Sequence, residues 1–129
     1  MSTAADTLQA ALYARLTAAL APVPVFDGAP AGQSYPYATI GDVSASAGPL
    51  VDVETEEHLV TVHVWSDQGG YTETNTLLAS IKTALHDRPL TVAGFEPVRP
   101  VYRSSTAFTQ PDGVIRHGVI QFRALIVRP

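Results

Sequence analysis

The sequence predicts an α+β domain in which two helices pack on one face of a mostly antiparallel sheet of four to five strands. Three observations lead there. Two segments carry apolar residues at helical spacing, several runs are rich in β-branched and aromatic residues, and Gln110-Pro111-Asp112-Gly113 separates two long strand-like runs near the C-terminus. The chain has 129 residues, which suits a single domain over residues 1–129.

The first helix spans Thr3 to Leu20. Leu8, Leu12, Leu16 and Leu20 recur every four residues, and Ala5 and Ala19 are expected beside them on the same stripe. Thr3 followed by Asp6 forms a capping-box-like start, and Pro22 and Pro24 stop the helix. Val23–Asp27 reads as a short strand, residues 28–32 as a Gly/Pro loop, and Tyr37–Val43 as a strand entered through Pro36. Residues 44–57 then turn small and acidic, with Asp52, Glu54, Glu56 and Glu57 close together, and predict a flexible acidic loop.

His58–Ser66 is the clearest strand, closed by Asp67-Gln68-Gly69-Gly70. The second helix runs from about Tyr71 to His86, with Thr74, Leu78, Ile81 and Leu85 on one stripe, and Arg88-Pro89 ends it. Leu90–Phe95 reads as a short strand or turn. Val98–Phe108 and Val114–Arg128 flank the hairpin turn. On the last run Gly118, Ile120, Phe122, Ala124 and Ile126 share one face, and the other face is only half polar.

Composition excludes several function classes. There is no cysteine, hence no disulfide framework, thiolate zinc site or cysteine nucleophile. The net charge is −4 and Lys82 is the single lysine, which argues against a groove neutralising many phosphates. The longest stretch without a polar residue, Ala18–Phe26, is shorter than the roughly 20 residues of a spanning helix, and no apolar run follows a basic start. The expectation is a soluble chain made in a cytoplasm, with no membrane partner. Charged residues make up 16% against about 25% in typical domains, which hints that part of the surface is covered by something else.

The motifs of chemistry are absent. There is no G-x-S-x-G, P-loop or G-x-G-x-x-G. His58 and His63 lie five residues apart on one strand and so on opposite faces, which prevents them from sharing a metal. A zinc site would need separate strands to converge. The acidic run lacks the alternating ligands and central glycine of a calcium loop. Trp65 and Tyr37 read as structural aromatics. The sequence therefore predicts no catalytic residues, no metal and no cofactor.

Taken in order, several stretches carry a family resemblance. They are Leu8-Gln9-Ala10-Ala11-Leu12-Tyr13-Ala14-Arg15-Leu16, Val25-Phe26-Asp27, and Tyr35-Pro36-Tyr37-Ala38-Thr39-Ile40-Gly41. Glu57-His58-Leu59-Val60-Thr61-Val62-His63-Val64-Trp65-Ser66 follows, and then, after Asp112-Gly113, the run from Arg116-His117-Gly118 to Ala124. Together they resemble the tail completion, or tail terminator, proteins of long-tailed phages and gene transfer agents, over nearly the whole chain.

The resemblance implies a structural virion subunit made in a bacterial host. It implies a homo-oligomeric ring, hexameric in expectation, that caps the head-proximal end of the tail tube, ends its growth and joins it to the neck or head-tail connector. DNA would pass through the lumen without specific binding. A ring contact is heterologous, so complementary charges are expected to order it. The candidate interface sets Asp52, Glu54, Glu56 and Glu57 of one subunit against Arg103, Arg116 and Arg123 of the next. The alternatives are a small ligand-binding or enzymatic α+β domain using His63, His117 and the acids, or another neck or head-closure subunit.

Overall fold

Thr3 caps the first helix as expected. In the computed structural model, which describes residues 3–28, 32–49 and 54–128, its Oγ1 accepts from the Asp6 amide at 3.0 Å. The Asp6 carboxylate in turn accepts from the Thr3 amide at 3.4 Å. Helix α1 then runs Ala4–Leu20 with Leu8, Leu12, Leu16 and Leu20 buried. Ala5 and Ala19, expected in the same stripe, are exposed, and Ala4 and Ala11 pack there instead. A row spaced by four precesses by about 40° per step around the helix, so one flank does not face the core at both ends.

Strand β1 (Val25–Phe26) pairs parallel with β2 (Tyr37–Ala47), and every other pairing is antiparallel. β3 (Thr55–Ser66) follows, then helix α2 (Thr72–Leu85), β4 (Val101–Thr109) and β5 (Arg116–Val127). The sheet order is β1-β2-β3-β5-β4. α2 is thus the crossover that lets β4 come in on the far side of β5. Both helices lie on one face, giving the α+β architecture read from the sequence.

The core forms where the period-two and period-3.6 patterns meet. Gly118, Ile120, Phe122, Ala124 and Ile126 point at the helices from β5, beside Val60, Val62 and Val64 of β3. Leu77, Leu78, Ile81 and Leu85 meet them from α2. The expected strand or turn at Leu90–Phe95 is a single bridge, Leu90 to Val98, around a turn at Gly94; it closes the core with Leu90, Val92 and Val98.

The segment expected as a loop, residues 44–57, is strand at both ends. Ser44–Ala47 pairs with Leu59–Glu56 across β2 and β3, and Thr55–Glu57 pairs with Val127–Leu125. Backbone ladders need no apolar side chains once a neighbouring strand has set the register. The ladder is restarted by a bulge after Gly41, where Asp42 takes φ +55°, and the Gly48 amide still donates to the Thr55 carbonyl at 3.0 Å. Asp52 lies outside the described residues. Among the described residues, no helix is long and apolar enough to cross a membrane.

Candidate site on the uncovered sheet face

The helices cover one face of the sheet; among the described residues no element covers the opposite face, which carries a row of aromatic rings across the strands. Tyr37 stands opposite Trp65, Trp65 opposite His117, and His117 opposite Phe108, with Phe26 of β1 packed edge-on against Tyr37. Ring centroids are 6.3 Å apart for Tyr37–Trp65, 3.8 Å for Trp65–His117 and 4.9 Å for His117–Phe108. Tyr35 stacks on Tyr37 at the open end. Strand alternation explains the row. These residues occupy the positions on β2, β3, β5 and β4 that point away from the buried Ala38, Val64 and Gly118 and the partly buried Ala107.

A chain of polar contacts runs beside the rings. Asp42 Oδ2 lies 3.3 Å from His63 Nε2, His63 Nδ1 lies 2.7 Å from His117 Nε2, and His117 Nδ1 lies 2.9 Å from Gln110 Nε2. The proton positions follow from the carboxylate end, because ionised Asp42 only accepts. A neutral His63 must donate from Nε2 and accept at Nδ1. His117 then donates from Nε2 and accepts at Nδ1, where the Gln110 amide donates. Burial, and secondarily the neighbouring His63, push the His117 pKa down to about 4.

Strands do converge here, as a zinc site would require, but the geometry is that of a hydrogen bond. Two imidazole nitrogens bound to one tetrahedral zinc at 2.0–2.1 Å stand about 3.4 Å apart, whereas these are 2.7 Å apart. Asp42 and Gln110 sit on the far nitrogens of the two rings and so face away from any shared ion. Among the described residues no group of three ligating side chains forms.

The other two histidines have separate roles. His58 is fully buried on the helix side and contacts Glu56 through Nε2 at 2.8 Å. His86, expected at the end of α2, accepts from the Tyr102 amide at 3.1 Å and ties the helix end to β4.

The candidate interface residues divide into two places. Glu54 pairs with Arg128 at 3.1 Å and Glu56 with His58, both at the Thr55 end of β3. Glu57 and Arg123 lie at the same end on the bare face, with Glu57 opposite Leu125 and Arg123 opposite Leu59. Arg103 is exposed in a bulge on the edge strand β4. Arg116 is apart from them. It pairs with Ser66 at the other end of β3, roughly 35 Å away at about 3.3 Å per residue. There it points to the helix side, over the Tyr71 ring, and donates to the Val114 carbonyl at 2.7 Å. Arg103, Arg116 and Arg123 form no ion pair among the described residues.

The residues that sequence reasoning missed are Asp42, Gln110 and Phe108. Face parity alone gave His63 and His117 no common partner, because that depends on β3 pairing with β5 and on the register.

Comparison with known proteins places the whole arrangement. The family described as "Tail completion protein gp17" matches residues 7–127. The tail completion protein gp17 of Bacillus phage SPP1 is 33% identical over 94 residues, covering 71% of this chain and 68% of that protein. Among solved structures, a chain of the virion of a native gene transfer agent particle superposes with a TM-score of 0.84 at 21% identity, covering 98% of this chain and 99% of the other. The SPP1 gp17 structure superposes with a TM-score of 0.55 at 23% identity, over 95% and 91% of the two chains. The matching family and the SPP1 relative are tail completion proteins, so the reading of His63 and His117 as parts of an enzyme finds no support. The chain belongs to the gp17 family of tail completion proteins.

Proposed function

We propose that this chain is a tail terminator: a ring of identical subunits, six in the favoured arrangement, that sits on the head-proximal end of the tail tube. It ends tube growth and joins the tube to the neck, and DNA passes through its lumen without specific binding. The observation that carries this reading is the family match over residues 7–127, together with a likeness of fold along the full length of a gene transfer agent virion chain. The surface supports it. A sheet face without a helix among the described residues, whose ring row ends in the exposed Phe108, and an edge strand, on a chain with only 16% charged residues, suit a subunit with extensive interfaces. The negative net charge suits a lumen that does not hold DNA.

Within that ring, the exposed Arg103 and Arg123 of one subunit face the acidic end of β3 in the next. Arg116 lies at the far end of the sheet and is left out of this contact. The test of location is gold labelling of particles carrying a C-terminally tagged chain. Label at the junction of head and tail supports the reading; label along the tube or at the distal tip refutes it.

A further inference from the structure

The contacts from Asp42 through His63 and His117 to Gln110 link β2, β3, β5 and the β4–β5 hairpin in one line. We infer that this line is a proton-operated latch: it accepts one added proton by reversing the bonds between His63 and Gln110 and is broken by the second, which frees the hairpin and the Asp42 bulge.

Donors and acceptors set the limit. With both rings neutral, every N–H points one way, from Gln110 through His117 and His63 to Asp42. One added proton is accommodated on His63. It then donates from both nitrogens, to Asp42 and to His117 Nε2, provided His117 moves its own proton to Nδ1 and the Gln110 amide rotates to present its oxygen. The Asp42 carboxylate favours this arrangement. A second proton leaves no solution. His63 Nδ1 and His117 Nε2 would both carry hydrogens while facing each other at 2.7 Å.

The surroundings reinforce the limit. From β2 the pair meets Asp42 and, beyond Trp65, Tyr37; from β3 it meets Trp65. From β4 it meets the uncharged Phe108. Arg116 precedes His117 but points to the opposite face, and Asp112 in the hairpin is engaged by the Val114 and Ile115 amides. Among the described residues Asp42 is therefore the single carboxylate touching the pair, and it touches only His63. His117 is 8% exposed and stacked against Trp65 at 3.8 Å, so a charge on it is poorly solvated, and among the described residues it touches no counter-ion. It escapes by turning outward, which opens the Trp65–His117–Phe108 stack.

The intact chain tests this with its own reporter, since Trp65 is the only tryptophan. Its emission is followed from pH 7.5 to 3.5 beside far-UV circular dichroism. The latch predicts a change in Trp65 emission centred below pH 5 that precedes loss of secondary structure and is absent in His117→Gln. An unchanged midpoint in His117→Gln, or a wild-type emission that changes only with global unfolding, overturns it. Nitrogen-15 spectra of histidine-labelled wild type at pH 7.5 need no variant. Both rings are expected as the Nε2–H tautomer. An Nδ1–H tautomer on either ring at that pH contradicts the directed line and the latch with it.

Discussion

Gly118 on β5 lies directly beneath Leu78 of α2: a Cβ at Gly118 would stand 3.2 Å from both Leu78 methyl carbons and 2.9 Å from the Thr74 methyl. The absence of a side chain at that point lets α2 settle onto the sheet. The bare face opposite carries the Trp65–His117 stack one residue away. Gly118→Ala is expected to lower stability by about 1–3 kcal/mol through overpacking, measured by urea denaturation. Leu78→Ala in the same background creates room and should recover part of the loss introduced by the alanine. A neutral Gly118→Ala would mean that α2 is not seated as described.

The depressed pKa of His117 links stability to pH. In the unfolded chain its imidazole titrates near 6.5, and in the folded chain at about 4. Between these values the unfolded state binds a proton that the folded state refuses, so stability present above pH 6.5 is lost as the pH falls toward 4. Solvent screening tempers the loss, which for this group is on the order of 1–3 kcal/mol over that window. Denaturation midpoints measured at pH 7.5 and 4.5 should differ in that direction, and His117→Gln should reduce the difference.

The hydrogen-bonded pairing of His63 with His117 predicts that neither is a metal ligand. Purified protein dialysed after exposure to zinc should retain it far below one ion per chain by elemental analysis. Retention of one zinc per chain, lost in His63→Gln, would require the pair to open by more than half an ångström and would reverse the reading of this site.

How much of this was legible in the sequence depends on what each feature rests upon. The four-residue leucine row, the Thr3–Asp6 box and the prolines after Leu20 are local, and α1 follows from them alone. The alternation from Gly118 to Ile126 likewise fixed the face of β5 that Phe122 and Ile120 bury. The bare-face site was not legible, because it depends on β3 lying next to β5 with Trp65 opposite His117, a pairing between segments about fifty residues apart. The strand character of Ser44–Ala47 was hidden for a related reason. Its residues are small and exposed, and only Leu59–Glu56 across the ladder hold them in place. The positively charged residues grouped by chain position as one hairpin surface are separated in space, since an odd spacing puts Arg116 and Arg123 on opposite faces.

Arg123 is exposed, unpaired among the described residues, and at the acidic end of the bare face. Arg123→Glu is expected to shift stability by less than about 0.5 kcal/mol while preventing assembly, read by unfolding curves beside sedimentation or negative-stain imaging of reconstituted tail ends. Glu57→Arg in the same chain should restore assembly in part. Normal assembly of Arg123→Glu would remove this contact from the ring.

If the chain ends tail growth as proposed, tail length measures that role. Particles produced from a genome lacking this chain should carry tails that exceed the normal length with a broad distribution, beside heads that have no tail attached. Supplying the chain in trans should return the lengths to a single value. Tails of normal, uniform length joined to heads in its absence would contradict the account.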